Sequence, residues 1–212
     1  MLQIKSFEFN DLQENTYVLF DETKECVVID PGCYTREEKE ELKSFISENN
    51  LKVVKLLNTH CHIDHVTGNA FVKNEYRVPL IIHPVEKEIL KAAEVYAGMY
   101  GFFQYETSDA DAFINEGDKV SFGNTTLEVL FLPGHSPGHV AFIEKNQKLC
   151  FSGDVLFFRS IGRADLPGGN YSTLINSITH KLFSLDPDTI VFPGHGPETN
   201  IGDEKKFNPF LN

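Results

Sequence analysis

No tryptophan occurs in the 212 residues, and the aromatic content rests on 18 phenylalanines, a choice that says nothing about function. Positive charge is scarce: 19 lysines and arginines face 31 acids, a formal net charge of −12. A phosphate backbone needs a basic stripe, so a nucleic-acid partner is excluded. A small anionic substrate is not, because bound metal ions reverse the field locally. No apolar run approaches the roughly 20 residues that span a bilayer, so no membrane association is expected. Lys5, Glu8, Asp11 and Glu14 interrupt any apolar export segment near the start. The four cysteines (Cys26, Cys33, Cys61, Cys150) include no CxxC pair, and a chain of this length needs no disulfide staples. A reduced cytoplasmic setting is expected. Linkers, repeats and low-complexity segments are also missing, so residues 1–212 read as a single domain.

What is present is an alternation of strands and helices. Residues 2–9, 15–20 and 25–30 read as three short strands, ended by Pro31-Gly32. Thr35 followed by Glu38 has capping-box spacing and predicts a helix with Leu42, Phe45, Ile46 and Leu51 near one stripe. A strand over 51–58 follows, then a helix over about 67–74, a strand over 78–83, and a helix begun by Pro84 that carries Ile89, Leu90, Ala93 and Met99. Residues 100–117 lack a period and read as a long loop, a candidate lid. Strands over 119–122, 125–132, 140–144 and 148–152, a helix over 172–184 and a strand over 189–192 complete the chain. The order fits an α/β fold, a four-layer αβ/βα sandwich with two mixed sheets.

The informative stretch is Asn58-Thr59-His60-Cys61-His62-Ile63-Asp64-His65. Three imidazoles and a carboxylate follow a buried strand directly, and both are ligands suited to zinc and related ions. His60 and His62, two apart on an extended segment, point to one side; Asp64 and His65 continue into a turn and can reach a neighbouring ion. His135, Asp154 and His195 each sit beside a glycine just beyond a predicted strand. That repeated strand–glycine–ligand pattern weighs more than any single histidine, which alone reads better as a hydrogen-bonded loop residue. Cys61 alternates away from its neighbours and reads as a small buried residue. His139 is a candidate to orient a ligand, or else a partly buried histidine bonded to backbone. His83 and His180 look structural. Phe102, Phe103 and Tyr105 are read as lining a substrate mouth or forming a small satellite core.

The combination H-x-H-x-D-H, G-H-S-x-G-H, S-G-D and P-G-H-G resembles the metallo-β-lactamase superfamily across residues 14–200. That resemblance implies a first metal on His60, His62 and His135, a second on Asp64, His65 and His195, and Asp154 bridging them. Two divalent ions are implied, zinc foremost, with iron or manganese as alternatives. The stretch from Gly153-Asp154 through Gly162-Arg163-Ala164-Asp165 to Asn170 is similar to the short bacterial glyoxalase II-like hydrolases. The implied activity is hydrolysis of a small acyl thioester by a hydroxide shared between the metals, with Asp64 catalytic in holding its hydrogen. Asp154 sets the chain apart from the zinc β-lactamases, and His62 from the flavodiiron proteins. The resemblance implies that Arg163 meets a substrate carboxylate; pairing with Asp165 is the alternative and the preferred reading. Full-length glyoxalase II has a helical domain that helps to hold glutathione, and this chain stops at Asn212. The persulfide dioxygenases, which use one iron, share the Gly-Arg-x-Asp element and are the alternative reading; a lactonase comes next, and a non-catalytic metal-binding protein last. Oligomeric state leaves no mark in the sequence.

Overall fold

Three apolar segments joined by tight turns open the chain as an antiparallel meander. They are β1 (Gln3–Phe9), β2 (Glu14–Phe20) and β3 (Glu25–Ile29). This is a computed structural model, and it describes residues 1–211. Past the Pro31-Gly32 break, α1 (Arg36–Glu48) starts at a complete capping box: the Thr35 side chain accepts from Glu38 N–H, and Glu38 accepts from Thr35 N–H. Leu42 and Ile46 form its buried stripe, and Asn50 ends it in the left-handed region at φ 53°. The crossover returns β4 (Lys52–Leu57) parallel to β3. Next come the single turn α2 (Ile63–Val66), α3 (Asn69–Tyr76), the parallel strand β5 (Leu80–Ile82) and α4 (Lys87–Ala97). The helix expected over 67–74 is α3, displaced two residues along the chain, and the single turn α2 precedes it. Met99, expected on the helix begun by Pro84, lies beyond the end of α4 and is 79% exposed.

The 100–117 segment is pinned along its length. Phe102 packs edge-on against Tyr34 with ring centroids 5.0 Å apart, and Gln104 N–H donates to the Tyr34 hydroxyl at 2.8 Å. Lys73 pairs with Asp111 at 2.8 Å, and β6 (Ala112–Phe113) joins β5 in parallel. Phe102 belongs to the core and Tyr105 packs against it, whereas Phe103 is exposed. Phe102 and Tyr105 thus extend the core of the first unit and form no separate cluster with Phe103.

Then come β7 (Lys119–Phe122), β8 (Thr125–Phe131), β9 (Val140–Glu144) and β10 (Leu149–Gly153). A small hairpin of β11 (Leu156–Phe157) and β12 (Ser160–Ile161) follows. The helix expected over 172–184 is α5 (Tyr171–Asn176) continued by wider and then tighter turns to Ser184. The chain then forms β13 (Ile190–Pro193), β14 (Thr199–Asn200) and α6 (Ile201–Phe207).

Contacts gather these elements into two units, Met1–Ile114 with Ser121–Thr126, and Asn115–Val120 with Leu127 onward. One sheet runs β1-β2-β3-β4-β5-β6 and the other β14-β13-β10-β9-β8-β7, each mixing parallel and antiparallel pairs. In the first unit, Val18, Val28, Leu56 and Ile82 from the sheet pack with Leu42, Ile46 and Leu90 from helices. In the second, Ala141, Ile143, Cys150 and Val191 pack with Leu174, Ile178, Leu182 and Ile201.

Candidate metal centre

In the first unit the donors leave the C-terminal end of β4, where parallel strands present their loops. His62 is the N-cap of α2, so Asp64 and His65 fall in its first turn. The imidazoles of His60 and His62 meet edge-on at 4.7 Å between centroids, and those of His60 and His65 lie at 4.1 Å. Asp64 Oδ2 stands 3.6 Å from His65 Nε2.

The hydrogen bonds behind these rings decide which nitrogen each presents. Asp30, at the end of β3, accepts from Thr59 N–H at 2.7 Å, from the Thr59 hydroxyl at 2.6 Å and from His65 Nδ1–H at 3.2 Å. With its own proton committed to Asp30, the Thr59 hydroxyl accepts from His60 Nδ1–H at 3.0 Å. A neutral imidazole protonated at Nδ1 keeps its lone pair on Nε2, so His60 and His65 both present Nε2. Asp30, His60 and His65 offer donor atoms within 4.8 Å of one another. The hydrogen bonds of Asp30 make it the orienting member of that trio.

Other buried groups brace this turn. Glu86 is fully buried, and its Oε2 accepts the backbone N–H of Cys61, between two histidines, at 2.8 Å. The Asn10 amide donates to the carbonyls of Gly32 and Asp64, each at 3.0 Å. Gly68 allows the turn to close: a Cβ there would meet Cys33 Sγ at 2.5 Å and the Pro31 carbonyl at 2.8 Å. Glu14 accepts from the Thr16 hydroxyl at 2.8 Å and lies 3.7 Å from His65 Nδ1. Burial pushes its carboxyl well above the usual range, with His65 pulling the other way. Burial likewise raises the Cys61 thiol well above its ordinary value, which suits a packing residue and not a thiolate ligand.

In the second unit, Asp154 and His195 leave two neighbouring parallel strands, β10 and β13, at the same end. Gly153 pairs in register with Pro193, and Gly194 N–H donates to the Gly153 carbonyl at 2.9 Å. The two side chains emerge side by side for that reason. Asp154 Oδ2 stands 3.5 Å from His195 Nε2 and 3.5 Å from His135 Nε2, so one carboxylate oxygen addresses both rings. His135, on the turn after β8, donates Nδ1–H to the Arg163 carbonyl at 2.8 Å and so presents Nε2. Gly162 permits this approach, since a Cβ there would lie 2.0 Å from the Asp154 carbonyl oxygen. His139 Nε2 accepts the Asp154 backbone N–H at 3.1 Å, which orients the carboxylate from behind. The Arg163 guanidinium forms a two-pronged pair with Asp165, both bonds 2.7 Å. Those bonds hold the Asp165 carboxyl down at about 2.

His83 accepts from Val85 N–H through Nδ1, and His180 bonds Thr179. Asp30, Thr59, Glu14 and Glu86 escape the sequence reading as site residues. For Asp30 a signal exists, because Ile29-Asp30-Pro31-Gly32 repeats the pattern of a strand end, a ligand-type side chain and a glycine. Glu14 and Glu86 carry none, since only the fold brings them to the 60–65 turn.

The metallo-beta-lactamase superfamily matches residues 9–195. The hydroxyacylglutathione hydrolase GloC of Haemophilus influenzae is 38% identical over 213 residues, covering 100% of this chain and 99% of that protein. The mitochondrial persulfide dioxygenase ETHE1 of the mouse is 32% identical over 201 residues, covering 92% of this chain and 70% of that one. Among solved structures, the BLEG-1 B3 metallo-beta-lactamase superposes with a TM-score of 0.90 at 36% identity, over 99% of this chain and 100% of that one. TTHA1623 in a di-iron-bound form gives 0.86 at 37%, over 98% and 100%. The chain belongs to the metallo-beta-lactamase superfamily and has its α/β fold, two mixed sheets flanked by helices. Within that superfamily it is a metallo-hydrolase, with histidine and aspartate groups of metal-binding type.

Proposed function

We propose that this protein hydrolyses a small acyl thioester at a pair of divalent ions, zinc foremost. His60, His62 and His135 would hold the first ion and Asp64, His65 and His195 the second, with Asp154 shared. The observation that carries this reading is the Asp154 carboxylate, one oxygen of which stands 3.5 Å from Nε2 of both His135 and His195. The donor chemistry fits metal: His60, His65 and His135 each commit Nδ1 to an oxygen acceptor, which keeps the ligating lone pair on Nε2.

When bound, such ions supply a deprotonated water at neutral pH and a Lewis acid for the carbonyl oxygen. The protein's own residues do the rest. Asp64 would accept the remaining hydrogen of such a nucleophile, and Asp30, through Thr59 and directly, keeps two imidazoles in the ligating tautomer. His139 holds the Asp154 backbone so that its carboxylate stays between its two histidines. Arg163 acts through its carbonyl on His135, and its guanidinium is neutralised by Asp165. The proposed substrate is a small molecule and the proposed setting a reduced cytoplasm; the four cysteines are buried and free, and no helix among the described residues is long and apolar enough to cross a membrane.

The likeness to a persulfide dioxygenase defines the competing reading. The test is turnover of S-lactoylglutathione and a glutathione-free acyl thioester, run beside oxygen uptake with glutathione persulfide. Thioester cleavage at a kcat/KM of at least about 10⁴ M⁻¹s⁻¹, the lower end for enzymes, with no oxygen uptake is expected. Oxygen uptake without thioester cleavage would replace the hydrolase with a dioxygenase.

A further inference from the structure

The C-terminal helix carries a buried carboxylate that the proposed chemistry leaves unused. Glu204 on α6 is fully buried and accepts four hydrogen bonds. Oε1 takes one from Arg159 Nη1 at 2.8 Å and one from the Thr199 hydroxyl at 2.6 Å. Oε2 takes one from Arg159 N–H at 3.1 Å and one from the Asn208 amide at 2.8 Å. Asn208 in turn donates to the Ser160 carbonyl at 3.0 Å.

The partners of this knot lie on the segments that leave the two ligand positions. Arg159 sits between β11 and β12, in the left-handed region at φ 56°, with its guanidinium between the rings of Phe158 and Phe207. Upstream, β11 starts two residues after Asp154 and sets Phe157 edge-on to the His195 ring, 6.3 Å between centroids. Downstream, β12 leads into Gly162 against the Asp154 carbonyl and Arg163 against His135. Thr199 begins β14, the strand that pairs back onto β13 and so closes the His195 loop, with Thr199 opposite Val191.

We infer that Glu204 is a positioning residue for Asp154 and His195: its carboxylate ties the turn after one to the strand after the other and so sets the spacing of their ligand atoms. The inference rests on the reading that both residues hold metal. It needs a carboxylate and not merely a polar side chain, because all four partners donate. Glutamine would turn an N–H toward at least one of them and leave a donor facing a donor in a buried pocket. Removing the charge also strands the Arg159 guanidinium at its inner end.

The test is zinc titration of metal-stripped protein against a chelator, with thermal unfolding of the same samples. Glu204→Gln is expected to bind the more weakly held zinc about 10- to 100-fold less tightly, the range for groups that orient ligands, while still unfolding cooperatively. Arg159→Gly, which suits the left-handed turn and keeps the backbone N–H but deletes the guanidinium, is expected to weaken zinc in the same direction by less; it carries the test if Glu204→Gln does not fold. Leu182→Ala lowers stability from the same core at a residue that takes part in none of the knot's hydrogen bonds and is expected to leave zinc affinity unchanged. The inference is overturned if Glu204→Gln, or Arg159→Gly in its place, melts earlier yet binds zinc like the wild type, or if Leu182→Ala weakens zinc as much. A wild-type protein that takes up a single zinc would instead remove the two-metal reading, and the effect on that one ion would still decide for or against Glu204.

Discussion

A histidine offers a metal the nitrogen that its own hydrogen bonds leave over, so the groups behind a ring matter as much as the ring. Here Asp30, Thr59 and the Arg163 carbonyl make that selection for His65, His60 and His135. Arg163 therefore has two separable parts, a carbonyl for His135 and a guanidinium for Asp165. The second part has a pH signature. The folded-state pKa of Asp165 is depressed to about 2, below the roughly 3.9 of a free aspartate, so its pairing stabilises fully above the unfolded value and is lost as pH falls from about 4 towards 2. Both partners are exposed, so the effect on stability is small. Arg163→Met, which keeps the carbonyl, should raise the Asp165 midpoint in a carbon-detected NMR titration from near 2 towards the free value, short of it by what a backbone hydrogen bond and His135 contribute. A midpoint still near 2 would show that the backbone and not the guanidinium holds it down.

Among the elements, those with a local cause were legible and those with a distant one were not. The Thr35–Glu38 box and the stripe of Leu42, Phe45 and Ile46 announce α1, and the structure reproduces them, whereas Leu51, read on the same stripe, falls past the helix end. Thr35→Ala should cost about 1 kcal/mol in urea unfolding with an unchanged slope, the usual worth of a cap. No change in midpoint would mean that Glu38, which also accepts from Tyr34 N–H and Asn10 N–H, carries the start of the helix alone. The strands β8, β9 and β10 were readable from their apolar runs and the breaks between them. The hairpin β11/β12, the short strand β14 and helix α6 were not, for a physical reason. Two-residue strands have no period, and α6 is held by Glu204 and Ile201 reaching partners far along the chain. The same limit applies at the site. Seven ligand-type residues stand out by local context, while Glu14 and Glu86 reach the 60–65 turn only through the pairing of β strands and the turn before α4.

For the molecule as a whole, acidity and metal chemistry belong together. A chain with a net charge of −12 still offers an anionic substrate a favourable destination once its histidine and aspartate groups are charged with divalent cations. Membership of the superfamily leaves a hydrolase and a persulfide dioxygenase in competition, and the number of ions decides between them, because Asp154 is useful as a shared ligand only if there are two ions to share it. The most direct measurement is metal content per chain, by elemental analysis of protein purified without added metal, for the wild type and for Asp154→Ala. Two ions in the wild type and one or none in the variant is the predicted result. Two ions in both proteins would contradict the shared role of Asp154, and a single iron in the wild type would contradict the two-metal hydrolase itself.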